Sequence, residues 1–129
     1  MFFPESRIRI WLCIKPVDMR CSFDGLSALV KNYMGEDPLS GHLFVFVNRR
    51  KTYLKILFFD RTGYCIWAKR LESGQFNFDA TDGVKRSMDW MSLKLLLEGL
   101  APKAFRRYKR YVHIDSSVGD VDIHAKHYQ

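Results

Sequence analysis

The sequence has 129 residues, 47% hydrophobic and 27% charged, with ten Phe, six Tyr and three Trp. That is one domain's length, long enough to bury a core, and too apolar for an intrinsically disordered chain. A formal charge of +7 favours a polyanionic partner, nucleic acid before anionic membrane, and no apolar run reaches the roughly 18 residues of a membrane span.

Residues 9–14 are predicted to form a strand, because Ile10 through Ile14 are continuously apolar and Pro16 ends the run. Phe23, Leu26, Leu29, Val30 and Tyr33 then fall at i, i+3, i+6, i+7 and i+10, which builds one apolar face of a helix. Ser22 or Asp18 is the candidate cap of its start, and Gly35 with Pro38 marks its end. Gly25 inside it predicts a close approach, with the sheet as the candidate neighbour. Residues 43–47 form a second strand. Asn48, Arg49, Arg50 and Lys51 make a basic connection to a third at 53–59, and Asp60-Arg61-Thr62-Gly63 turns the chain into a fourth at 64–71. Connections this short join only antiparallel neighbours, so these three strands form a meander. Ser73 and Gly74 turn the chain again, with residues 76–78 a candidate short edge strand. A second helix opens at Asp89, an N-cap with Ser92 at N3. It buries Leu93, Leu96, Leu97 and Leu100 and ends at Gly99.

The expected fold is therefore α+β: an antiparallel β-sheet meander of about four to five strands packed against two helices. Residues 1–111 make a single compact domain that includes a basic segment after the second helix, and residues 112–129 a flexible C-terminal tail. The third strand sets Leu54, Ile56 and Phe58 against Lys55, Leu57 and Phe59; the second sets Leu43, Val45 and Val47 against Phe44 and Phe46. A sheet apolar on both faces must be covered on both. If two helices cover one, the other calls for tail, partner or second subunit, so a homo-oligomer through that second face is among the expectations.

Cys13, Cys21 and Cys65 are odd in number, contain no CxxC pair and lie in or beside apolar runs. Buried free thiols in a reducing compartment follow. Pro4, Glu5 and Arg7 interrupt the apolar start, so no secretory pattern is read there and the cytoplasm is the expected location.

Several blocks resemble a known family. Pro16-Val17-Asp18-Met19-Arg20 with Phe23-Asp24-Gly25-Leu26 is similar to the opening motif of the accessory proteins encoded by the second open reading frame of insertion-sequence family 66. Gly41-His42-Leu43-Phe44-Val45-Phe46 with Arg49-Arg50 resembles their apolar strand and basic turn. Residues 55–60 (KILFFD), 69–76 (KRLESGQF) and 96–99 (LLEG) resemble three further blocks, in the family's order. Cys21 stands where the family commonly has a basic residue, Phe58 and Phe59 where larger aromatics are usual, and Ala68 where an aromatic is common. The resemblance implies a helper of DNA transposition, encoded beside a separate and larger transposase that carries the catalytic carboxylates. It does not extend to the RNA-guided nuclease that shares the family's label.

Basic clusters carry the functional reading. Arg49, Arg50 and Lys51 sit at a strand connection, with Lys55 on the strand that follows. Lys69 and Arg70 sit at a strand end, and Lys103, Arg106, Arg107, Lys109 and Arg110 follow the second helix among Phe105, Tyr108 and Tyr111. Such side chains neutralise phosphates and release counterions, and interleaved aromatics stack on bases; the bland alternative is a solvated surface. No reading-helix, zinc-finger or RNA-binding signature accompanies them. Arg20 and Asp24, four apart, read as a structural pair on one helix face. Asp18, Asp60 and Glu72 or Asp89 are candidates for a two-metal nuclease only if they converge, and Asp60 and Asp89 each have a local turn or cap role. His124 and His127 near Asp120 and Asp122 match no zinc spacing, and Ser22, Ser40, Ser73 and Cys65 have no base placed nearby. The expected function is a non-catalytic accessory protein, without cofactor or metal, that binds DNA, the transposase of its element, or both. The alternative is an adaptor that assembles with the transposase and never touches DNA.

Overall fold

A computed structural model describes residues 7–79 and 82–99. It contains β1 (Ile10–Cys13), α1 (Phe23–Ala28) running into a π-helical turn (Leu29–Tyr33), β2 (Leu43–Val47), β3 (Tyr53–Asp60), β4 (Gly63–Arg70), β5 (Lys85–Met88) and α2 (Trp90–Leu97). The five strands form one sheet in the order β4-β3-β2-β1-β5. β2, β3 and β4 are the expected antiparallel meander. β1 joins it in parallel beside β2, with Ile10 opposite Leu43, so the sheet is mixed. The chain from Ile14 to His42 carries α1 and is long enough for the crossover that a parallel pair requires.

Two strand assignments differ from the sequence reading. Residues 76–78 are not a strand: Phe76 is fully buried as a plug, its N–H donating to the Lys51 carbonyl at 2.7 Å. The fifth strand is instead Lys85–Met88, antiparallel to β1. Its polar sequence has no apolar alternation because it lies at the edge.

The apolar alternation of β2 and β3 sorts as the period of two requires. Leu43, Val45, Val47, Leu54 and Ile56 pack with Phe76, Leu93 and Leu96 on the α2 side. Phe44, Phe46 and Leu57 pack with Leu26, Val30 and Met34 on the α1 side. The helices therefore lie one on each face, and all five residues of β2 are buried. This corrects the expectation that both would share a face and leave the other for a tail, partner or second subunit: the crossover carries α1 to the side opposite α2.

Local chemistry explains the helix ends. Asp89 caps α2, its Oδ1 accepting the Ser92 N–H at 2.7 Å. Gly99, at φ +77°, closes the helix with its N–H on the Leu96 carbonyl. Ser22 occupies the N-cap position of α1 but its side chain makes no capping bond. Gly25 is closely packed as expected, though against Cys21 rather than the sheet: a Cβ there would stand 3.3 Å from Cys21 Cβ and Sγ. Burial pushes the Cys13 thiol up from its ordinary value, and no disulfide forms among the three cysteines. Lys85 of β5 pairs with Glu36 and stacks over Trp11 at 4.7 Å, tying the short edge strand to the crossover. No helix among the described residues is long and apolar enough to cross a membrane.

Candidate nucleic-acid interface

One open groove, of about 720 Å³, lies between the segment that follows β1 and the β2–β3 turn. Pro16, Val17, Asp18, Met19 and Arg20 line one side; Asn48, Arg49, Arg50 and Tyr53 line the other. Two of the sequence blocks singled out above, far apart in the chain, meet here.

Each wall is held by identifiable bonds. Val17 roots the first: it is 5% exposed and its N–H donates to the Val47 carbonyl at 3.0 Å. Asp18 then folds the chain over itself, its Oδ1 accepting the Arg20 N–H at 2.9 Å, and the Cys21 N–H closes the turn on the Asp18 carbonyl. Beneath it the Lys55 ammonium donates to the carbonyls of Met19 (2.7 Å) and Cys21 (2.8 Å). In the second wall, Asn48 Oδ1 accepts the N–H groups of Thr52 (2.9 Å) and Tyr53 (3.1 Å). That bracket turns Arg49 and Arg50 outward, both exposed, and places Lys51 in the left-handed region at φ +62°.

The groove is cationic in excess. The one carboxylate among its described lining residues, Asp18, forms a bidentate pair with Arg20, Nη2 to Oδ2 at 2.7 Å. Among the described residues Arg49 and Arg50 have no acidic partner, so two positive charges remain uncompensated. Arg70 adds a third beside the groove, its guanidinium 4.9 Å from the centre of the Tyr53 ring.

Hydrogen bonds from the Arg20 guanidinium, then from its backbone N–H, hold the Asp18 carboxyl at about 2 against an ordinary 3.8. Because the folded value is the lower one, the pair's stabilisation is complete above about pH 4 and is lost as the pH falls toward 2. Both side chains are largely exposed to solvent, which keeps that stabilisation small. Replacing Arg20 by Gln is expected to move the Asp18 midpoint up from about 2 toward 3.8. A carboxyl-detected NMR titration reads this directly, and an unmoved midpoint would acquit the guanidinium.

The candidate cations thus divide. Arg49 and Arg50 line the groove and Arg70 adjoins it. Lys51 leans the other way, its ammonium 4.6 Å over the Phe78 ring. Lys55 is committed beneath the Asp18 turn. Lys69 crosses to the opposite face, where its ammonium donates to the Leu97 carbonyl at 2.7 Å and closes the C-terminal end of α2. Lys103, Arg106, Arg107, Lys109 and Arg110 lie outside the described residues, as do His124, His127 and the boundary at residue 111. Arg20 is the groove residue that sequence reasoning missed. It pairs with Asp18, two residues away, rather than with Asp24; the adjacent Asp18-Met19-Arg20 block was the available signal. Among the described residues no three His, Cys, Asp or Glu side chains gather as a metal would require, and Asp18, Asp60, Glu72 and Asp89 do not converge. His42 is structural, its Nδ1 accepting the Arg9 N–H at 3.0 Å.

A small mixed-sheet α+β protein with an open cationic groove is the class these features define. The chain belongs to the IS66 Orf2-like family, whose model matches residues 8–107, a family of accessory proteins of insertion-sequence transposition. It is similar to two proteins of Sinorhizobium fredii. One is the uncharacterized protein y4hO, 34% identical over 95 residues that span 74% of this chain and 83% of that one. The other is the uncharacterized protein y4jC, 35% identical over 100 residues that span 78% and 86%. No solved structure matches the chain.

Proposed function

We propose that this protein is a non-catalytic helper of transposition that holds DNA by its phosphates in the groove between residues 16–20 and 48–53. One observation carries the reading: Arg49 and Arg50 line an open groove and have no acidic partner among the described residues, beside an Arg20 whose charge Asp18 already balances. Phosphate contacts of this kind fix position on DNA without reading sequence. Tyr53, flanked by Arg70, adds an aromatic surface at the same site. The transposase of the same element is the protein partner this reading assigns, and the bacterial cytoplasm is the compartment in which the two would meet the element's ends. Neither cofactor nor metal enters the role.

Fluorescence anisotropy with labelled duplex DNA across a salt series tests the proposal. Affinity is expected to fall linearly on a log–log plot. Replacing both Arg49 and Arg50 by Ala is expected to flatten the slope by about 1.8, roughly 0.9 for each phosphate that is no longer neutralised. Both side chains are exposed, so the fold should survive. Absence of salt-sensitive binding at low ionic strength, or a slope indifferent to the double substitution, would defeat the reading.

A further inference from the structure

The two edges of the sheet are built differently. β5 has four residues, two of them the cations Lys85 and Arg86, and short charged edges resist strand addition. β4 has eight residues, and among the described residues no strand pairs with its outer side. Its register with β3 runs from Gly63 to Arg70 without a bulge. Tyr64, Cys65, Ile66, Trp67 and Ala68 carry neither charge nor proline, and Trp67 is 44% exposed.

The direction of its backbone groups follows from one bond. The Leu71 N–H donates to the Thr52 carbonyl at 2.9 Å. Hydrogen-bonded pairs alternate along an antiparallel ladder. Gly63, Cys65, Trp67 and Lys69 therefore turn their backbone groups toward β3, and Tyr64, Ile66, Ala68 and Arg70 turn theirs outward.

We propose that β4 is a homodimer interface, pairing antiparallel with β4 of a second copy so that two five-stranded sheets become one. A two-fold axis leaves a single register that uses all four outward-turned residues. Tyr64 then lies opposite Arg70 of the second copy and Ile66 opposite Ala68, with Cys65 facing Lys69. Trp67 falls on the axis against its own counterpart, in a non-hydrogen-bonded pair where side chains come closest. Charge argues for this occupant. Each strand's cations, Lys69 and Arg70, meet the uncharged Cys65 and Tyr64, so no like charges oppose, and Arg70 meets an aromatic ring. The contact is isologous and closes at two copies. It uses the sheet's edge, leaves both covered faces intact, and does not rest on the DNA reading.

Sedimentation velocity of the full chain in reductant is expected to show a dimer. Trp67→Lys sets two ammonium groups against each other on the axis and is expected to weaken association roughly ten-fold or more, with the far-ultraviolet dichroism unchanged. Ala68→Pro removes one outward N–H while sparing the β3 ladder, and is expected to do the same. Trp67→Lys, at an exposed position, keeps the test decisive should Ala68→Pro unfold the chain. The register has its own readout. With Cys21 and Cys65 replaced by Ala, Trp67→Cys is expected to form an interchain disulfide in air. Such a pair sets the two Cα atoms about 4.5 Å apart, inside the disulfide range. A monomer at the highest concentration reached overturns the proposal; so does a dimer that survives Trp67→Lys or fails to cross-link.

Discussion

Phe46→Ala is expected to lower the free energy of unfolding by about 3–5 kcal/mol, a large part of the stability of any domain this size. Phe46 has no exposed surface. It stands on the central strand, opposite Lys55 of β3, within the cluster of Leu26, Val30, Met34, Phe44 and Leu57. Truncation removes a ring's worth of transfer free energy and leaves a cavity that the surrounding structure only partly closes. Phe23→Ala supplies the contrast. Phe23 is 45% exposed although it lies on the predicted apolar face of the same helix, and its loss should stay within about 0.5 kcal/mol. Urea unfolding followed by circular dichroism measures both. A loss below 1 kcal/mol at Phe46, or equal losses at the two positions, would show that the α1-side cluster is not packed as described.

The same contrast explains which parts of the fold could be read from sequence. Alternation at Leu43–Val47 and at Leu54 to Phe59 is a local property with a period of two, so both strand faces were legible residue by residue. Asp89 and Gly99 were legible because capping chemistry acts within one turn. Which face each helix would cover was not legible, since it depends on β1 lying parallel to β2, a long-range pairing with no local signature. β5 escaped because an edge strand needs no apolar alternation, and Phe76 because a buried ring outside any element looks like a strand residue. The groove divides along the same line. Turn chemistry announced Arg49 and Arg50, whereas the partner that turns Arg20 into a groove residue is the wall across from it.

Lysines 55 and 69 show the limit most clearly. In the sequence they are positive charges equivalent to Arg49 or Arg50. In the fold each caps backbone carbonyls, Lys55 those of Met19 and Cys21 and Lys69 that of Leu97. A hint existed for Lys55: it shares a strand face with Leu57 and Phe59, and a cation on an apolar face has to find acceptors there.

Lys55→Met turns that difference into a measurement. Methionine keeps the aliphatic volume but strips both carbonyls of a cationic donor, and hydrogen bonds to a charged group contribute about 1.5–3 kcal/mol. A destabilisation of about 2–3 kcal/mol is therefore expected in denaturant unfolding, since both bonds are part-buried and both carbonyls lose their donor. The slope of DNA affinity against salt, taken below the onset of unfolding, is expected to stay at the wild-type value because every phosphate keeps its cation. A phosphate-contacting Lys55 gives the reverse pattern: stability nearly untouched and a slope shallower by about 0.9. The two readouts move in opposite senses under the two roles. One variant thus separates the lysine that builds the groove from the arginines that would use it.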